Sequence, residues 1–380
     1  MITIVVALII LSVLVIVHEF GHFVVARWAG IGVEEFALGL PFTRPLISKK
    51  LKGGTKLSLY PVLFGGFVKL VGEEGNNKSK NAFGQKSIWK RMAVVGAGVA
   101  MNLLLAIFIF YVFLLFSNFK VLVPKLADYK FISPTKTTII ISYVQDPSPA
   151  SAAKLVPGDV LLQADGKSFE KISDFQKYTR ERASQGLNLN LKITDFLLEE
   201  VKMATVAPRK NPPEGQGPLG VGIGEAIIVN YQTFGWKMVS GVAFSADMTA
   251  YNVVTLKSFI SSAAKTGNAE PLRDAVAGPV GMVSIIGGIL GLPGKAMILS
   301  LLNITALISL SLMFMNILPI PAVDGGRMVF LLIEAITQKK LPAKYENFVN
   351  QAGFMLLLGL MVVIMFNDIS KIVAPWLLKK

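Results

Sequence analysis

His18-Glu19-Phe20-Gly21-His22 interrupts an apolar run that begins at Ile2, and everything downstream is read around these five residues. A helix through this run places His18 and His22 one turn apart on the same face. Both imidazoles then reach one tetrahedral metal ion, with Glu19 beside them, placed to take a proton from water at that ion. The chain contains two histidines, and both are here. A buried polar patch satisfied by neighbouring helices is the competing reading. Against it stands the cost of ionisable groups at membrane depth, which makes them functional as a rule.

The 380 residues are 53% hydrophobic and 16% charged, too apolar for an ordinary soluble protein. This is the composition of an integral membrane protein. The net charge is +14, but the basic residues flank apolar spans, and no basic patch interleaved with aromatics points to nucleic acid. With no cysteine, disulfides and thiolate metal sites are excluded, so any metal is held by nitrogen and oxygen.

Residues 2 to 17 with the motif, to about Trp28, form a first transmembrane helix. It lacks the basic n-region and small-residue cleavage site of a signal peptide, and is expected to be retained. At about 1.5 Å per residue, His18 lies roughly 25 Å from the start, near the far side of the hydrocarbon layer. Residues 27 to 91 carry twelve Lys or Arg against four Asp or Glu, so this loop is expected in the cytoplasm, with the N-terminus outside and the motif near the cytoplasmic face. Inside the loop, Lys56 to Leu70 contains two short apolar stretches joined near Gly65-Gly66, consistent with a β-hairpin or a β-turn. A free strand edge there can clamp a substrate backbone by β-addition, or the segment can simply tuck the loop against the bilayer. Glu34 and Glu35 are candidate ligands whose commoner reading is a solvated pair.

Met92 to Phe116 is a second span broken only by Asn102, by type an interhelical hydrogen-bonding residue, with a role at the active site as the alternative. Residues 118 to 225 change to the composition of a soluble domain, with β-like runs such as Thr138 to Ser142 and a helix near Ile172 to Arg182. Residues 226 to 295 read as interfacial helices and a linker. A third span covers about Ala296 to Leu318 and runs into Asn316-Ile-Leu-Pro319 and Asp324-Gly325-Gly326-Arg327. Asp-Gly-Gly after a Pro-broken helix is a turn or cap by itself. Two histidines without cysteine leave a protein-ligand position open, however, and Asp324, near the cytoplasmic end, is the best-placed carboxylate to fill it. A fourth span runs from Gly353 to about Leu378, leaving the Lys379-Lys380 tail outside.

Asp146-Pro-Ser-Pro-Ala-Ser-Ala-Ala, Pro157-Gly158-Asp159 and Asp165-Gly166, closed by Gly217-Pro-Leu-Gly-Val-Gly222, look like one PDZ domain. HExxH in the first span, Gly65-Gly66-Phe-Val-Lys69, this insert, Gly278-Pro-Val-Gly281 and Asn-x-x-Pro-x-x-x-x-Asp-Gly at residues 316 to 325 stand in the order seen in site-2 proteases. The whole chain resembles a bacterial regulator-of-sigma-factor type of that family, with a single PDZ domain where the best-known members have two. The resemblance implies a polytopic α-helical membrane protein of about four transmembrane helices, with a membrane-associated β-hairpin and an inserted α+β PDZ domain. In it His18, His22 and Asp324 bind Zn2+, Glu19 is the catalytic base, and Asn316 with Gly65 and Gly66 engages substrate. It further implies an inner-membrane zinc metalloprotease that cuts single-pass membrane proteins, such as an anti-sigma factor or remnant signal peptides. Its domains would be 1–117, 118–225, 226–295 and 296–380, with the PDZ domain outside the cytoplasm and available to peptides or C-terminal segments.

Two rival readings remain. One is a membrane-anchored HExxH quality-control protease acting outside the bilayer, which would take a glutamate such as Glu334 as third ligand. The other is a PDZ-bearing scaffold with a structural metal, which would have no use for Glu19 and would close all four positions with protein ligands.

Overall fold

The computed structural model describes residues 2–51, 53–73, 79–195, 200–268, 270, 273, 276–340 and 342–377. The Lys379-Lys380 tail lies outside them. The chain forms two compact units, one built from residues up to Phe110 with Phe259–Leu292 and Ser300 onward, the other from Tyr111–Ser258 with Pro293–Leu299.

In the first unit, helix α1 (Ile2–Trp28) runs through the histidine motif without a break. Its end has a local cause. Gly30 takes a left-handed φ of 72°, its N–H reaches the Arg27 carbonyl, and the Ile31 N–H reaches that of Ala26, which closes a Schellman turn. Four strands follow: β1 (Val33–Leu40), β2 (Ile47–Lys50), β3 (Lys56–Leu59) and β4 (Val62–Leu70). They make one sheet in the order β2-β3-β1-β4, in which β1 and β3 are parallel and the other pairs antiparallel.

This corrects the hairpin expected at Gly65-Gly66. Those glycines lie inside β4, and β1 separates β3 from β4. The hairpin that does form is β2 with β3. Between Leu59 and Val62 the chain crosses over the end of β1, and Gly39 makes room for it: its φ is 90°, and a Cβ there would stand 2.8 Å from the carbonyl oxygens of Tyr60 and Val62. A side chain at position 39 would block the crossing.

Helix α2 (Ile88–Phe116) starts four residues before the expected second span. Ala26, Ile31 and Val33 from the end of α1 and the start of the sheet pack with Leu70, Phe83, Val94 and Val95 into one buried cluster. It fixes α2 and the sheet against the C-terminal half of α1.

The second unit carries a six-stranded antiparallel sheet, in the order β5-β10-β6-β7-β8-β9. In chain order its elements are β5 (Lys120–Pro124), β6 (Thr135–Val144), α3 (Pro149–Ala152), β7 (Asp159–Ala164), α4 (Ile172–Gln185), β8 (Leu189–Asp195), β9 (Glu200–Val206), β10 (Val221–Asn230) and α5 (Phe234–Thr266). The expected strand at Thr138 to Ser142 falls in β6, and the helix near Ile172 is α4. The boundary expected at 225 does not hold. Ala226, Ile227 and Val229 are buried, and the second half of β10 pairs with both β5 and β6, so the strand continues to Asn230. The interfacial stretch expected after it opens with one long helix, α5, and holds a second at Pro279–Leu290. Asp247 on α5 is fully buried and accepts hydrogen bonds from the hydroxyls of Tyr129 and Tyr231 and the N–H of Ile132. Burial pushes its carboxyl up, and the Tyr129 hydroxyl is pushed up to about 12 by the same burial and by Asp247.

Asp165 opens the tight turn into Gly166, with φ values of 49° and 78°. Its carboxylate accepts from the Tyr178 hydroxyl at 2.9 Å, from Arg182 Nε and Nη2 at 2.9 and 2.7 Å, and from the Asn190 N–H at 2.9 Å. Burial alone would raise this carboxyl, but those donors outweigh it and hold it below the ordinary range. A depressed folded-state pKa contributes stability that is fully present above about pH 4 to 5 and is lost as pH falls through it. Asp165→Asn is therefore expected to lower the thermal midpoint at pH 7 in detergent, corresponding to about 2 kcal/mol. The gap from wild type should narrow progressively as pH falls below about 4; a gap independent of pH would contradict the assignment.

The rest of the first unit is helical: α6 (Pro279–Leu290), α7 (Gly294–Ile317), α8 (Asp324–Thr337) and α9 (Ala343–Leu377). Asp368 on α9 accepts from the Gly281 N–H at 2.8 Å, so one helix caps the start of another. The glycines at 278 and 281 leave room for that carboxylate: a Cβ at either would come within 3.1 Å of it. Ile2–Trp28, Ile88–Phe116, Gly294–Ile317 and Lys344–Lys371 are long and apolar enough to cross a membrane, which makes four candidate spans among the described residues. The fourth begins before the expected Gly353.

Candidate metal centre

α1 delivers His18 and His22 from adjacent turns, and Asp324 arrives as the first residue of α8. Asp324 stands at a helix N-terminus, where a negative charge is favoured. The chain reaches it through the Pro-rich turn after Ile317, which packs tightly enough to need both following glycines: a Cβ on Gly325 would lie 2.0 Å from the Leu318 oxygen, and one on Gly326 would lie 2.3 Å from that of Ile320.

The three donor atoms form a nearly equilateral triangle. His18 Nε2 and His22 Nε2 are 3.2 Å apart, and Asp324 Oδ2 lies 3.1 Å from the first and 3.3 Å from the second. Donors bound at about 2.0 to 2.1 Å to a tetrahedral ion stand about 3.3 Å from one another, so these three fit zinc without rearrangement. Oδ2 is buried and accepts no hydrogen bond, which agrees with a lone pair turned toward a shared cation. Among the described residues, His18, His22 and Asp324 are the group of His, Asp and Glu side chains able to hold a metal.

The rings are held from behind. His22 Nδ1 lies 2.8 Å from the Val94 carbonyl on α2, an acceptor that places the proton on Nδ1 and leaves Nε2 free to bind metal. Gly98, one turn along α2, lets the helix approach, since a Cβ there would fall 2.4 Å from His22 Nε2.

A cleft of about 370 Å³ opens beside the triangle, bordered by Glu19, Gly65, Gly66, Asn102, Asn316 and Arg327. All of the site residues expected from sequence therefore meet in one place. Gly66 brings β4 against α1: a Cβ at 66 would stand 2.8 Å from the Ala37 oxygen and 3.5 Å from Glu19 Cγ. β4 is an edge strand whose inner side pairs with β1. Arg327 was not singled out by sequence. It follows Asp324 by three positions on α8 and pairs with Glu73 Oε1 at 2.5 Å, while Glu73 Oε2 accepts from the Leu70 N–H. That pair ties the end of β4 to the helix carrying the carboxylate ligand.

Other candidate acids are engaged elsewhere. Glu35 takes hydrogen bonds from Ser58 and Tyr60, and Glu34 pairs with Lys69. Glu334, the alternative third ligand, is held by Arg91 through two bonds of 2.9 and 2.6 Å, which lower its carboxyl.

The family model for peptidase family M50 matches residues 6–360. The chain belongs to peptidase family M50. A protein of Clostridium perfringens whose name describes a zinc metalloprotease is 34% identical over 363 residues, covering 96% of this chain and 97% of the relative. One of Brucella suis, similarly named, is 28% identical across 97% of this chain and 95% of its own length. Metalloprotease MmpA of Caulobacter vibrioides is 27% identical across 96% and 94%. Membership of M50 and four helices of spanning length make this a metalloprotease of the membrane.

Proposed function

We propose that this chain is an intramembrane zinc endopeptidase of the site-2 type, cutting within or beside the transmembrane segment of single-pass membrane proteins. The observation that carries this reading is the donor triangle, set on a helix of membrane-spanning length beside a cleft bordered by an edge strand.

When bound, zinc supplies a Lewis acid that polarises a peptide carbonyl and brings the pKa of water to about 7. His18, His22 and Asp324 hold it with three protein donors, leaving a position for reactants. Glu19 takes the proton from the attacking water and returns it to the amine nitrogen as the peptide bond breaks. A helical substrate has its carbonyls tied up in its own hydrogen bonds and must unwind before attack. Unwound backbone at membrane depth needs new partners. The outer edge of β4 around Gly65 and Gly66 supplies them along the strand, and the Asn316 side chain supplies another.

Residues 118–230 act as a single PDZ domain facing away from the cytoplasm. Only the second half of β10 pairs with β5, so the first half offers an edge to an arriving peptide or C-terminal segment. By the family resemblance it screens for substrates whose outer part has already been trimmed, as in regulated intramembrane proteolysis of an anti-sigma factor. Remnant signal peptides are a second substrate class. The centre then lies near the cytoplasmic side of the inner membrane, where water reaches it.

The purified protein in liposomes is expected to cut a single-span test substrate inside or next to its apolar segment, as located by mass spectrometry of the fragments. Cleavage confined to soluble loops would favour a quality-control protease instead.

A further inference from the structure

Asn102 sits in the middle of an apolar helix, 1% exposed, and the chemistry described so far makes no use of it. Its side-chain nitrogen faces His18 Nδ1 at 3.2 Å, while its side-chain oxygen is buried and has no hydrogen-bond partner. Both facts are unfavourable. An NH2 donating to Nδ1 would put the ring proton on Nε2, the atom that points at Asp324 and His22, and a ring protonated there has no lone pair for a metal. The orphaned carbonyl meanwhile carries the full cost of burial.

One operation removes the conflict at the ring. Rotating the amide by half a turn exchanges O for N, two atoms that differ in hydrogen bonding far more than in shape. The oxygen then accepts from Nδ1–H of His18, and Nε2 is free. The exchanged NH2 takes the buried position beside the cleft that Asn102 helps to line.

The rest of α2 supports this assignment. Val94, Gly98 and Asn102 are four residues apart and form one stripe facing the two imidazoles. Val94 gives His22 an acceptor through its carbonyl, Gly98 provides the clearance, and Asn102 is the remaining position from which His18 can be served. The stripe is anchored from a third helix, since Ser309 Oγ on α7 donates to the Asn102 backbone carbonyl at 2.8 Å. An asparagine needed only for helix packing would not have to point its amide at a metal-ligand ring.

We infer that Asn102 is a positioning residue for the metal centre: its side-chain oxygen accepts from His18 Nδ1–H and thereby fixes the tautomer and orientation in which His18 binds zinc. The inference rests on the metal-site reading above and deepens it. Partners of this kind contribute about 10- to 100-fold in metal affinity.

The test is zinc affinity of the full-length protein in detergent, measured by competition with a chromogenic chelator. Asn102→Leu, which keeps the bulk and loses the acceptor, is expected to bind zinc about 10- to 100-fold more weakly, with thermal unfolding unchanged within a few degrees. Asn102→Asp, which can only accept, is expected to retain wild-type affinity or exceed it. A merely structural role would make a buried carboxylate the worse of the two. Asn102→Ala replaces the leucine variant if leucine disturbs folding. Leucine and alanine variants within twofold of wild type would overturn the assignment, as would an aspartate variant as weak as leucine. Wild-type protein that takes up no zinc, or whose uptake survives loss of both histidines, would overturn the metal-site reading itself and this inference with it.

Discussion

Glu19→Gln is expected to keep one zinc per chain and to cut a single-span substrate about 10²- to 10⁴-fold more slowly than the unchanged protein. The amide has the size and shape of the carboxyl, so Gly66 can approach it as before. It is also no part of the donor triangle, which consists of the two imidazoles and Asp324. What it lacks is the ability to accept a proton from the attacking water and to pass it on to the departing nitrogen. Zinc content by elemental analysis and single-turnover cleavage in the same preparation separate binding from chemistry. Equal rates for the two proteins would remove Glu19 from the mechanism, and a loss of zinc would make it a ligand or a structural residue instead of a base.

Gly98→Ala is expected to abolish zinc retention, lowering affinity more than 100-fold, and cleavage with it. An alanine is ordinarily favourable in a helix, by about 1 kcal/mol over glycine, so helix propensity predicts a gain. The site predicts the reverse. The added Cβ would lie 2.4 Å from His22 Nε2, 2.7 Å from His18 Nε2 and 2.6 Å from His18 Cε1. Each ring can yield only by leaving the partner that holds it from behind and turning out of the cage, which three donors about 3.2 Å apart cannot absorb. Gly96 supplies the control. It lies on the same helix two residues earlier, and a Cβ there would meet only the terminal carbon of Met328 at an ordinary 3.5 Å. Gly96→Ala should leave zinc affinity within about twofold. If both variants bind zinc like the wild type, the imidazoles are not where the structure puts them.

Much of this site is visible in the sequence because its parts obey short-range rules. HExxH needs only the helical repeat, and the four candidate spans need only runs of apolar residues of sufficient length. Asp324 stands out because two histidines without cysteine leave a ligand position open and it is the carboxylate expected at their depth. What escaped the sequence depends on backbone crossings and distant pairings. The strands before and after Tyr60-Pro61 look like partners, yet the conformational freedom of Gly39 carries one across β1 and puts them on opposite sides of it. β10 runs five residues past the expected boundary because its far half finds partners in β5 and β6. Asn102 is conspicuous as a lone polar residue in an apolar span, but its partner is 84 positions earlier. Arg91 and Glu334, 243 positions apart, carry no local signal of each other.

The centre also draws its donors from segments separated by most of the chain. Two arrive with α1 at the beginning of synthesis, and the third follows some three hundred residues later with α8. A chain made only as far as its first helices thus holds two of the three donors, with the cage still incomplete. The cage is completed only once α8 has been made, so zinc affinity is expected of the full chain and not of one that ends before Asp324.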